Sequence, residues 1–148
     1  MSCPFCKIVA GDAPASVVHE DADVLAFMTI HPTAAGECLV IPKTHIDHFT
    51  DVSDRVAAHI MIVAQRIGRR MREVFRPDRV GFVVHGFGIP HAHLIVVPQH
   101  GPHHITSERF VHVEEGRVVF NMSTIPAVQR DVLDKHAQLL AAPDSGIH

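Results

Sequence analysis

The stretch Ile89–Gln99 reads IPHAHLIVVPQ: an apolar run of strand length that carries two imidazoles two residues apart. Side chains alternate across a strand, so His91, His93 and Ile95 are predicted on one face and Ala92, Leu94 and Val96 on the other. At a rise of about 3.3 Å per residue the two rings stand about 7 Å apart, near enough to address one ligand. On spacing alone the pair is also compatible with ordinary half-buried histidines satisfied by their neighbours. A neutral imidazole set against a carbonyl has one nitrogen fixed as donor and the other lone pair free, which suits nucleophilic attack on phosphorus.

Working outward, RVGFVVH (residues 79–85) gives a strand that a short link, residues 86–90, joins to HAHLIVVP. Upstream, Ser53 is the predicted N-cap of a long helix reaching about Phe75, with Val56, Ile60, Val63, Ile67, Met71 and Val74 spaced by three and four. Arg66, Arg69, Arg70 and Arg72 fall largely off that stripe and read as a solvated face, with a polyphosphate contact as the rival. Before it, SVVHED, DVLAFMTI and CLVIPK form a meander of three strands, preceded by a short helix from Cys3 to Ala10 closed by Gly11. Downstream, RVVF (residues 117–120) offers a further strand, and Pro126 opens a last helix through AVQRDVLDKHAQLLA with Val128, Val132, Leu139 and Leu140 apolar. The fold class is α+β, with about five antiparallel strands, one long helix and shorter helices at both ends. One domain is expected over residues 1–148, with a core at 3–100 and a C-terminal extension at 101–148.

Composition narrows the partner. With 13 basic and 16 acidic residues the formal charge is −3, which gives no general electrostatic grip on nucleic acid or an anionic membrane. A small ligand is the better expectation. Residues 1–7 lack the basic-then-apolar pattern of a secretory leader and no run of about 18 apolar residues occurs, so a cytoplasmic location is expected. Three cysteines form no disulfide framework and read as thiols or metal ligands. Protonating all 14 histidines would carry the charge from −3 to +11, so stability should suffer in mild acid.

HAHLIVVP, preceded by FCKIVAGDAPASVVHEDADVLAFMTIHPTAAGECLVIPKTH and a long helix, resembles the histidine triad (HIT) family over about residues 3–100. The family motif is His-x-His-x-His followed by apolar residues. The resemblance implies a HIT-like fold and a nucleotidyl hydrolase or transferase, acting on a nucleotide or related phosphoryl compound. In that chemistry the middle histidine, here His93, attacks phosphorus and forms a nucleotidyl-histidine that water or another acceptor resolves. Backbone amides beside the motif would hold the developing charge. The base would lie in a cleft involving Phe5, Ile8, Phe27 and Ile30, residues that are equally well explained as core. Relatives are commonly homodimers, with the long helix and neighbouring strands at the interface, and a homodimer is expected here.

Several positions depart from the pattern. Ile95 stands where the third histidine belongs and can neither donate nor accept a hydrogen bond. The related galactose-1-phosphate uridylyltransferases carry glutamine there, so a histidine is dispensable while a polar group is retained. Glu37 replaces a fourth active-site histidine, and a carboxylate repels phosphate unless it is protonated or paired. Thr29 stands where an Asp or Asn usually grips the ribose, and can make only one such hydrogen bond. His85 followed by GFGIP replaces a longer polar loop. Either the site is tuned to another phosphoryl substrate, or the domain is catalytically silent and binds a nucleotide or a protein.

Cys3-x-x-Cys6 is half a metal site. Some bacterial HIT proteins join such a pair to a histidine after the IPK strand and to the first motif histidine, which correspond to His45 and His91 and imply a structural zinc ion. His48 is the rival of His45, and Cys38 reads as a buried small hydrophobe. The run PQHGPHH supplies His100, His103 and His104, either a solvated loop or a substitute for the lost third histidine. His59, His112 and His136 have no evident companion in the sequence.

Overall fold

The computed structural model describes residues 2–105, 111–121 and 125–143. Helix α1 (Pro4–Ala10) is followed by β1 (Val17–Glu20), β2 (Val24–Met28) and β3 (Cys38–Pro42). A single 3-10 turn then leads to α2 (Asp54–Phe75), β4 (Arg79–Val83) and β5 (Leu94–Gln99). The strands β6 (Val111–Glu114) and β7 (Arg117–Phe120) and the helix α3 (Arg130–Ala141) complete the described chain. Five strands form one antiparallel sheet in the order β1-β2-β3-β5-β4. The long helix therefore carries the chain from β3 past the position β5 will fill, and β5 returns between β3 and β4.

Both faces of this sheet are covered, which is why β2 reads as an unbroken apolar run and is buried at all five positions. Val24, Ala26, Met28, Cys38, Val40, Leu94 and Val96 meet Ile60, Val63, Ala64, Ile67 and Met71 of α2 and Leu133, Ala137 and Leu140 of α3. The opposite face sets Leu25, Phe27 and Ile41 against Cys3 and Phe5 from the segment around α1. Ser53 caps α2 as expected, its side chain accepting from the Val56 amide at 3.3 Å. Gly36, at φ +102°, lies under the ring of Phe75: a Cβ there would sit 2.8 Å from the ring, so the turn into β3 and the end of α2 close on one another only with glycine.

Three expectations are corrected. The β5 ladder begins at Leu94, so His91 and His93 precede the strand. Val40 pairs with Leu94 at the end of the β3–β5 register, and two residues farther along β3 stands Pro42, which has no amide hydrogen to give. The amide of Ala92 instead donates to Ile46 O at 2.7 Å. RVVF does not join the main sheet; it forms a separate hairpin with β6 through Glu115 and Gly116, both at positive φ. The last helix starts at Arg130 rather than beside Pro126, because the Val128 amide is held by Ile30 O at 2.9 Å. Its buried stripe is Leu133, Ala137 and Leu140, while Val132 and Leu139 are exposed. The chain end after Pro143 lies outside the described residues.

Candidate functional site

Where β3 stops, Pro42 keeps a carbonyl that the ladder does not use, and His91 takes it: Nε2–H donates to Pro42 O at 2.8 Å. A carbonyl only accepts, so that bond fixes the proton on Nε2 and leaves Nδ1 as a lone pair. Nδ1 lies 3.4 Å from Cys3 Sγ and 3.7 Å from Cys6 Sγ, and His45 Nδ1 lies 3.3 Å from Cys6 Sγ. Cys3 stands at the N-cap of α1 and Cys6 one turn into the helix, whereas His45 follows β3. The four donor atoms lie within 4.8 Å of one another.

That spacing fits zinc. A tetrahedral ion with Zn–S about 2.3 Å and Zn–N about 2.0–2.1 Å holds sulfur and nitrogen about 3.5 Å apart, and the sulfur–nitrogen separations here run from 3.3 to 3.7 Å. Burial, then the hydrogen bond and charge of Cys3, push the Cys6 thiol above its ordinary pKa. Burial also lowers His91, opposed by its bond to Pro42 and assisted by the nearby His45 and His93, so the ring is held in the neutral, ligating form. His48, the rival of His45, is exposed and lies outside this cluster. Cys38 is fully buried in the sheet, where desolvation keeps it a neutral thiol.

His93 is 8 % exposed. Its Nδ1–H donates to His91 O at 2.7 Å, which makes Nε2 the acceptor nitrogen, and among the described residues nothing hydrogen-bonds to Nε2. Phe5 presents its ring edge-to-face to both histidines, with centroids 5.7 Å away in each case, and meets Phe27 at 5.3 Å. Of the four apolar residues expected in a cleft, Phe5 and Phe27 are buried together, Ile8 is half-buried beside them, and Ile30 is exposed at the end of β2. Ile95 pairs with Leu39 on one side and Val83 on the other, so this aliphatic residue occupies the middle of the sheet.

Glu37 is buried, immediately before β3. Thr33 donates to it twice, from Oγ1 at 2.7 Å and from the backbone at 3.4 Å. Desolvation outweighs those bonds and raises its pKa, which favours the protonated acid. Thr33 Oγ1 also lies 3.0 Å from His104 Nε2, so one histidine of the PQHGPHH run reaches the Glu37 cluster. Thr29 Oγ1 accepts weakly from the His31 amide at 3.4 Å. His85 is exposed in the β4–β5 link, where Nδ1 accepts from the Phe87 amide at 3.3 Å.

The sequence left His59 and His136 without companions, and the fold supplies them. His136 packs edge-on against Phe75, with centroids 5.0 Å apart. His59 Nε2 lies 2.6 Å from Asp21 Oδ2, as does His19 Nε2. No spacing rule could have found that triplet, because β1, the following turn and α2 meet only in three dimensions. Thr33 and Pro42 were missed for the same reason.

Comparison with known proteins places these features. The HIT domain family matches residues 10–102. Protein hit of Bacillus subtilis (strain 168) is 36% identical over 105 residues, covering 68% of this chain and 72% of that protein. The adenosine 5'-monophosphoramidase hnt1 of Schizosaccharomyces pombe is 38% identical over 103 residues, 67% of this chain and 75% of its own length. Among solved structures, a Zn-bound histidine triad family protein from Mycobacterium smegmatis superposes with a TM-score of 0.70 at 32% identity, covering 95% of this chain and 91% of that one.

Proposed function

Because the chain belongs to the HIT domain family, we propose that it is a nucleotidyl (phosphoryl) hydrolase or transferase working through a covalent intermediate on His93. The observation that carries this reading is the bond from His93 Nδ1–H to the His91 carbonyl, which makes Nε2 the acceptor nitrogen of the neutral ring. Nε2 attacks phosphorus and a P–N bond forms as the bond to the leaving group breaks. Water or another acceptor then attacks the same phosphorus, the P–N bond breaks, and the ring returns to its starting tautomer. A relative that is an adenosine 5'-monophosphoramidase supports a nucleoside phosphoramidate as the substrate class to test first.

Burial shifts Glu37 toward the protonated form, and an uncharged carboxyl beside an anionic ligand avoids the repulsion an ionised one would cause. Phe5 and Phe27 line the apolar side of the site. Cys3, Cys6, His45 and His91 would hold a structural zinc ion, which would cross-link α1, the β3 exit and the segment before β5. His91, held there and by its bond to Pro42 O, would keep in place the carbonyl that orients His93. A homodimer remains the assembly in which this site is expected to work.

Intact mass after quenching in alkaline denaturant, which preserves the acid-labile P–N bond, with nucleoside phosphoramidates and dinucleoside polyphosphates tests the proposal. A nucleotidyl adduct is expected on the native chain and none on His93→Ala. Absence of both adduct and turnover across that panel would refute it. The second reading, a silent nucleotide- or protein-binding domain, is favoured by one specific observation, the aliphatic Ile95 between β3 and β4. In that case nucleotide affinity survives in His93→Ala and no substrate turns over.

A further inference from the structure

We infer that His19, Asp21 and His59 form a second metal site, a three-ligand His2Asp set for a divalent transition ion such as Zn2+ or Co2+, sharing no residue with the Cys3/Cys6/His45/His91 cluster. Both imidazole Nε2 atoms lie 2.6 Å from the same carboxylate oxygen, and the three ligand atoms fall within 4.8 Å of one another. The side chains come from three places: β1, the β1–β2 turn and the second turn of α2. As they stand the two contacts are hydrogen bonds to one carboxylate oxygen. An ion at bond lengths of about 2.0–2.2 Å would hold nitrogen and oxygen about 3.3 Å apart, so the two rings would retreat by under about 1 Å to admit it, and two neutral nitrogens with one carboxylate then suit a borderline divalent ion that keeps water in its remaining position.

The carboxylate is already oriented for this. Asp21 Oδ1 accepts the amides of Asp23 and Val24, both at 2.9 Å, which turns Oδ2 toward the two rings. The nearby cations are committed elsewhere: Arg55 grips both oxygens of Asp23 at 2.7 and 3.2 Å, and Lys43 binds Glu20 at 2.8 Å and the backbone oxygen of Asp21 at 3.2 Å. Among the described residues the side chains that reach the Asp21 carboxylate are the two histidines. All three side chains are 29–31 % exposed, so an ion enters from solvent without unfolding the chain.

The test uses the full chain without an affinity tag, isotope-labelled at histidine, with Zn2+ added beyond the amount the cysteine-containing cluster takes up. The Nε2 resonances of His19 and His59 are expected to lose their N–H character together. Co2+ should bind here without the thiolate charge-transfer band that a cysteine-ligated ion shows, which separates this site from the other. Asp21→Asn and His59→Gln are each expected to weaken binding at least about tenfold and to leave the His45 and His91 resonances unchanged. The amide spectrum of each variant reports that it is folded. The inference fails if neither ring responds at a large molar excess of metal, if only one responds, or if both still respond in folded Asp21→Asn, which would mark ordinary adsorption by a histidine-rich surface.

Discussion

Glu37 shows how one residue type can be read only with its surroundings. An ionised carboxylate would repel a phosphoryl ligand, and burial raises the pKa of Glu37, which shifts it toward the neutral form. Its stabilising protonation is fully present below the ordinary value of 4.5 and is lost as pH rises through the folded value. Glu37→Gln therefore gains melting temperature over the native chain as pH is raised from acid to neutral, and a difference that stays flat with pH would contradict this assignment. Ile95 is the companion question. Under the proposed mechanism Ile95→His supplies a donor next to His93, and kcat on a phosphoramidate should rise by about tenfold or more. His93→Ala should instead lower turnover by about 10³ or more. Of the candidate site, His93 and the cluster of Cys3, Cys6, His45 and His91 were legible as residue types in motif order. What the sequence hid was each ring's tautomer, because that depends on Pro42 O and on His91 O, backbone atoms with no sequence signature.

At the scale of elements, periodicity located α2 with its cap and the five strands of the main sheet, since both rest on local patterns of three and four or of two. It failed where tertiary bonds overrule local preference. Val128 is drawn into an extended contact with Ile30, so α3 starts late and rotates its buried stripe to Leu133, Ala137 and Leu140. Leu133→Ala should consequently cost about 2–5 kcal/mol in denaturant unfolding, whereas Val132→Ala, on the exposed side, should leave the midpoint nearly unchanged. The hairpin β6–β7 was half legible: the strand RVVF is real, but its partner is β6 rather than the main sheet. The turn before β3 is a sharper case. Gly36→Ala meets both a positive φ and the Phe75 ring, and should destabilise by about 1–3 kcal/mol.

The whole molecule is a sheet clad on both sides, with the α2–α3 core on one face and α1, whose Phe5 packs against His93, on the other. None of the described helices is long and apolar enough to cross a membrane. Acid should act on the molecule as a unit. Burial lowers the pKa of His136, and of His91 with help from its neighbours, so their contribution is held above the ordinary 6.5 and lost as pH falls from there toward their folded values. Asp21, whose desolvation is outweighed by its bonds to His19, His59 and two amides, adds a second loss in stronger acid. A melting curve that did not fall below about pH 6 would contradict this account. The paired carbonyl bonds of His91 and His93 carry a final consequence. A free imidazole trades its hydrogen between two nitrogens; these rings are prototropically locked, so His93 cannot serve as a through-ring proton wire. A hydrogen ion on Nε2 would occupy the lone pair that the proposed attack uses, and it would have to depart by the same door before that attack could begin.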